Sequence, residues 1–131
     1  MPRMSDTDRM HLLAQTQFLR DSGYSLERQN EYGFELIKGN IQFGFYYERY
    51  DNDSDISIRF LKENKVFSVG WIAVVTSENM TIDINRAFEN LSFFCDYLER
   101  NLELVTDITF CQRMDFEIEQ YIKNKQQAHS C

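Results

Sequence analysis

A run of alternating acidic residues is the strongest candidate for chemistry in this sequence. Asp51, Asp53 and Asp55 stand two residues apart, which is the spacing that opens an EF-hand calcium loop. Such a loop needs glycine at its sixth position and a bidentate glutamate at its twelfth. The chain has Ile56 and Lys62 there. We therefore predict a solvated turn with no metal site, and weak calcium binding is the alternative.

Cysteine and histidine show no spacing that is typical of a reactive or metal-binding site. The three cysteines and two histidines form no Cys-x-x-Cys, His-x-x-x-His or His-Glu-x-x-His motif. Cys95 and Cys111 fall among apolar helical positions, where a cysteine is usually a small buried hydrophobe. An odd, widely spaced set also favours a reducing, cytoplasmic location over a disulfide framework. Since no glycine-rich phosphate loop occurs either, we predict no catalytic residue and no cofactor.

Aromatic and charged side chains instead cluster on one face of the predicted sheet. Tyrosine and arginine are frequent in binding hot spots, because each combines a large contact area with a polar group. Acidic residues follow them directly in the chain, so we predict an acidic, aromatic surface that binds a protein partner. A half-solvated sheet face with ordinary tyrosines is the alternative interpretation. The predicted contact residues are Tyr46, Glu48, Tyr50, Asp51, Asp53, Asp55 and Arg59.

The overall composition narrows the class of partner. The 131 residues include 21 Asp and Glu against 14 Lys and Arg, which gives a net charge of −7. This balance is unfavourable for contacts with phosphates, so we expect no nucleic-acid partner. The longest apolar run, 71–75, is far shorter than the ~20 residues of a membrane-spanning helix, and we expect no membrane association. The length fits a single domain over 1–131, and it leaves the oligomeric state open.

The elements that position these residues follow from changes in hydrophobic period. Helical spacing predicts a first helix with Ser5 as its N-cap, and alternation then predicts five strands joined by short turns. Helical spacing returns near the C-terminus, before a polar tail over 126–131 that we expect to be disordered. The predicted helices span 5–21, 83–101 and 108–125, and the predicted strands span 24–29, 34–38, 41–50, 56–60 and 66–75.

These elements predict an α+β domain. An N-terminal helix precedes a five-stranded antiparallel meander, and two C-terminal helices pack on one face of that sheet. The fifth strand ends in residues that are apolar on both faces, which is typical of a central or doubly covered strand. The predicted core residues are Phe34, Leu36, Phe43, Phe45, Ile58, Phe60, Val69 and Trp71 on the sheet, and Leu12, Phe18, Phe88, Leu91 and Leu98 on the helices.

In size, acidity and predicted architecture, the chain resembles the small immunity proteins of bacterial toxin systems, although no motif carries the likeness. The resemblance implies a cytoplasmic binding protein that neutralises a cognate toxin by covering its active site or substrate groove. Many such toxins act on nucleic acids and carry basic clefts. An acidic partner would associate with such a cleft quickly and specifically.

Two other functions stay open at this point. One is a dimeric protein similar to secretion chaperones, which typically place a helix between their third and fourth strands. Only 51–55 separates the corresponding strands here, and this counts against that interpretation. The other is a small-ligand-binding protein or an enzyme, with a pocket of Tyr and Trp side chains or a Cys–His pair that the fold brings together.

Overall fold

A computed structural model describes residues 3–47, 54–76 and 87–129, apart from the side chains at 87–88 and 125–129. The described elements make an α+β fold, as predicted. In chain order they are α1 (Asp6–Gln15), α2 (Gln17–Asp21), β1 (Ser25–Asn30), β2 (Gly33–Lys38), β3 (Ile41–Tyr47), β4 (Ser54–Phe60), β5 (Lys65–Ser68), α3 (Val69–Thr76), α4 (Ala87–Arg100), α5 (Leu102–Val105) and α6 (Ile108–His129).

The sheet is the predicted antiparallel meander. Its five strands lie in the order β1-β2-β3-β4-β5, so each strand pairs with its neighbour in sequence. Gly39 has a φ of 57° in the tight connection between β2 and β3, a conformation that suits glycine. Phe34 of β2 stands opposite Phe45 of β3, and their rings stack with centroids 5.0 Å apart. Cross-strand aromatic pairs of this kind fix the register of the buried face.

The N-terminal helix starts where the sequence predicts, but it is not continuous. The Ser5 hydroxyl accepts a hydrogen bond from the Asp8 amide and so caps α1. The predicted helix over 5–21 breaks at Thr16, which separates α1 from α2. Thr16 is fully buried, and its hydroxyl donates to the Leu13 carbonyl oxygen at 3.0 Å. A side chain that bonds back to the preceding turn competes with regular helix geometry, so the break follows from local chemistry.

The predicted fifth strand over 66–75 is wrong in its second half. β5 ends at Ser68, and the apolar segment that follows is the helix α3. Val69, Ile72 and Ala73 lie on one face of this helix and are buried, and the buried Gly70 and Val74 widen that face. An all-round apolar run fits a buried helix as well as a covered strand, so hydrophobic pattern alone cannot separate the two.

The start of α3 is fixed by two polar side chains. The Asp55 carboxylate accepts from the Gly70 amide at 2.9 Å and from the Ser68 hydroxyl at 2.6 Å. The Ser68 hydroxyl oxygen in turn accepts from the Trp71 amide at 3.0 Å. These bonds satisfy amides that have no partner in the first turn of a helix, and the negative charge favours that end of the helix dipole.

Three further predictions are corrected by the structure. Trp71, predicted in the core, is 40% exposed, because the helix turns its ring outward against Tyr121 at a centroid distance of 6.2 Å. The expected disordered tail over 126–131 is helical as far as His129, since α6 continues without a break. The C-terminal region also holds three helices, where two were predicted, because the short α5 stands between α4 and α6.

The hydrophobic core joins the helices to one face of the sheet. Alternate residues of β2, β3 and β4 are fully buried there, and α4 contacts β4 closely. The other predicted core residues with described side chains are buried, except that Phe18 is only partly so. Phe88 lies outside the described side chains.

We expect replacement of Asp55 by alanine to destabilise the protein by about 2 kcal/mol. The substitution removes the acceptor of hydrogen bonds from the Ile56 amide, the Ser68 hydroxyl and the Gly70 amide, and so leaves the amide at the helix start without its partner. Urea denaturation monitored by circular dichroism measures the change. Asp21→Ala, at an exposed carboxylate that accepts only from Gln17 in the same helix, is the control and should cost less than ~0.5 kcal/mol. Equal losses in both variants would contradict the capping role.

Candidate functional site

The candidate site is the face of the sheet opposite the core. Tyr46 of β3 stands opposite Asp55 of β4, and Gln42 stands opposite Arg59, so these four side chains share this face. Tyr46, Asp55 and Arg59 were predicted to form one surface, and the register brings them to the same side. We call this side the polar face, defined by Arg28, Glu35, Gln42, Tyr46, Asp55 and Arg59.

The Tyr46 ring lies across two glycines of the polar face. A Cβ added at Gly33 would be 2.7 Å from one ring carbon of Tyr46. A Cβ added at Gly44 would be 3.1 Å from another carbon of the same ring. Gly44 also faces Ser57, whose hydroxyl would be 2.8 Å from the same added Cβ. The ring therefore fills the space above positions without side chains, which holds it flat against the sheet.

Tyr46 lies beside an ion pair between the first two strands. The Glu35 carboxylate, whose charge acts on the Tyr46 hydroxyl, is 3.7 Å from the Arg28 guanidinium. Burial, followed by the charge of Glu35, raises the pKa of Tyr46 to about 12, while Arg28 acts in the opposite direction. Tyr46 is thus a neutral donor beside Glu35.

A wide groove of about 500 Å³ opens on the polar face beside these side chains. Two acidic and two basic side chains line it, together with Ile37 and Gln42. The charged lining residues are Glu27, Arg28, Glu35 and Arg59. These charged and polar side chains can form ion pairs and hydrogen bonds with a partner.

Of the acidic residues predicted on this surface, Asp55 is described by the structure and the others are not. Asp55 is half-buried, and its carboxylate caps α3, so its main contacts are within the fold. Sequence reasoning missed this role because the predicted strand over 66–75 contains no helix start. Four predicted contacts lie outside the described residues: Glu48, Tyr50, Asp51 and Asp53.

The two described cysteines are buried among helices. The Cys95 thiol lies 3.8 Å from the Gln15 carbonyl oxygen, and the Cys111 thiol lies 3.2 Å from that of Val105. Burial, reinforced by nearby carboxylates, raises the pKa of each thiol to about 12. Because the thiolate is the nucleophilic form, neither cysteine has the environment of a reactive one.

Most of the net negative charge lies on the C-terminal helices. From Glu89 to the end of α6 the sequence has eight acidic and four basic residues, a balance of −4 out of the total of −7, and α6 itself has three of each. All eight acidic side chains are exposed.

Comparison of the chain with protein-family models, curated proteins and solved structures finds no match. Among the described residues, no cluster of His, Cys, Asp and Glu has the arrangement of a metal site. Over the same ranges, no helix combines the length and apolar character needed to span a membrane. The candidate site therefore rests on its own geometry.

We expect Glu35→Gln to lower the pKa of Tyr46, because the neutral amide removes the carboxylate charge. Burial remains, so the pKa should stay above the ordinary value of 10.0. A titration of ¹³Cζ-labelled tyrosines by NMR resolves the individual residues. Tyr47 is the control: burial and its 2.8 Å hydrogen bond to Asp8 raise its pKa independently of Glu35.

The same pKa shift sets the pH dependence of stability. The folded state holds the Tyr46 proton more tightly than the unfolded chain does. The contribution of Tyr46 to the free energy of unfolding is therefore complete below pH 10 and is lost as the pH rises towards 12. In Glu35→Gln, ionisation of Tyr46 should cause a smaller loss of stability as the pH rises from 10 towards 12. An unchanged Tyr46 pKa in the variant would show that the Glu35 charge does not act on the hydroxyl.

Proposed function

We propose that the protein is a non-catalytic, cytoplasmic protein-binding domain. It acts as an immunity protein that neutralises a bacterial toxin carrying a basic surface. In this proposal the helices pack on one face of the sheet, and the polar face is left for the partner. One observation carries the proposal: Arg28, Glu35 and Tyr46 lie together on the polar face, beside a groove lined by charged side chains.

This arrangement supports a binding role because the Tyr46 ring is oriented before a partner arrives. The Tyr46 ring is held over Gly33 and Gly44, so little side-chain freedom is lost on binding. Arg59 is exposed on the neighbouring strand and offers a planar donor. Tyrosine and arginine are the residue types that contribute most to many protein interfaces.

The acidic residues have a separate task in this proposal. Glu48, Asp51 and Asp53 occupy the six-residue connection between β3 and β4, and they supply negative charge that attracts a basic partner. Asp55 belongs to the cap of α3, and its effect on binding is indirect. We therefore expect Tyr46 and Arg59 to affect the dissociation rate, and the three connection residues to affect the association rate.

The test uses the product of a toxin-like gene adjacent to the gene for this protein. Surface plasmon resonance at low salt should detect binding, and co-expression should restore growth of cells that produce the toxin. Reversing the charges of Glu48, Asp51 and Asp53 together should slow association at least tenfold and reduce its salt dependence. Asp21→Lys, on the exposed side of α2, is the matched control and should have little effect.

A second variant tests the contribution of the polar face to binding separately from that of long-range charge attraction. Tyr46→Ala with Arg59→Glu should accelerate dissociation and abolish protection, while circular dichroism confirms that the fold is retained. The proposal is wrong if the neighbouring gene product neither binds nor is neutralised. It is also wrong in its placement of the site if binding occurs but neither variant changes its rates.

A further inference from the structure

A second candidate surface lies on α6, apart from the polar face. Phe116 is 60% exposed and is the most exposed phenylalanine among the described side chains. Most other described phenylalanines are buried in the core. Full burial of such a side chain contributes roughly 1.5–3 kcal/mol to stability. The folded protein lacks this stabilisation because Phe116 is exposed to water.

The surroundings of Phe116 form a shallow hollow rather than a flat surface. It has a volume of about 430 Å³ and combines apolar and acidic walls. Ile118 and Ile122, both half-buried, supply the apolar part, while Asp115 and Glu119 supply carboxylates. We call these five residues the α6 hollow: Asp115, Phe116, Ile118, Glu119 and Ile122.

The carboxylates of the α6 hollow are not neutralised within the described part of the chain. The salt bridges between described residues join Arg3 to Glu31, Arg28 to Glu35 and Arg100 to Asp96, all away from α6. Asp115 and Glu119 stand one helical turn apart, where like charges repel each other. The charge of Lys65 in β5 lowers the pKa of Asp115, but the two side chains form no salt bridge.

We propose that the α6 hollow is a docking site for a basic, amphipathic segment of a partner protein. An apolar side chain of that segment enters beside Phe116, and flanking Lys or Arg residues pair with Asp115 and Glu119. Charge complementarity selects this partner, because Asp115 and Glu119 line the hollow beside its apolar residues and neither forms a salt bridge with a described residue. The proposal does not depend on the immunity function, since it concerns a different surface.

The probe for this docking site is a synthetic helical peptide of alternating Leu and Lys pairs. Titration into ¹⁵N-labelled protein should shift the amide signals of α6 around 115–122. Phe116→Ser should weaken peptide binding at least tenfold, because it removes the apolar contact. Since Phe116 is exposed, this variant should keep the melting temperature of the native protein, which is measured in parallel.

Charge variants give a matched comparison on the same helix. Glu119→Lys reverses a carboxylate that lines the hollow, whereas Glu117→Lys reverses an exposed one that does not. The first should weaken peptide binding several-fold more than the second. Arg59→Glu on the polar face should leave peptide binding unchanged, so failure of this proposal is distinguishable from failure of the proposed function.

Four outcomes would overturn the docking site. A peptide with Glu in place of Lys could bind equally well, or Phe116→Ser could bind like the native protein. The shifted signals could also map to the polar face. Finally, sedimentation could show that the protein alone dimerises and that Phe116→Ser is monomeric, which would assign the surface to a second copy of this chain.

Discussion

The rest of the structure depends on the contact between the Asp55 carboxylate and the start of α3. Asp55 holds the Gly70 amide and the Ser68 hydroxyl at the point where β5 ends. A Cβ at position 70 would collide with this carboxylate and crowd the Phe94 ring of α4, so glycine is required there. From this point α3 contacts both α4 and α6. A carboxylate on the sheet thereby positions the C-terminal helices.

This arrangement separates two kinds of surface. The polar face has cross-strand contacts between its side chains, with Tyr46 placed over glycines and Arg28 paired with Glu35. The acidic helices lie elsewhere in the fold, and Phe116 and its hollow stand among their exposed carboxylates. The two surfaces suit different interactions: the first offers oriented donors and acceptors, and the second offers charge and an apolar contact.

Much of the fold follows from local sequence signals. Alternation predicts the strands, short turns favour an antiparallel meander, and Ser5 marks the start of α1 correctly, while the strand order itself comes from the structure. The helix over 69–76 could not be predicted in this way, because its cap comes from Asp55, distant in sequence, and its β-branched residues favour strands. The same limit applies to the site. Alternation places Tyr46 and Arg59 on one face, but only the structure shows that the Asp55 carboxylate caps α3.

The conformation of residues 69–76 tests this account most directly. Backbone NMR assignments of the native protein give ¹³Cα secondary shifts for each residue of Val69–Thr76. We expect helical shifts throughout, starting directly after Ser68, together with a Gly70 amide that is protected from exchange by its bond to Asp55. Strand-type shifts over this segment, with cross-strand contacts extending β5 along β4, would contradict the account.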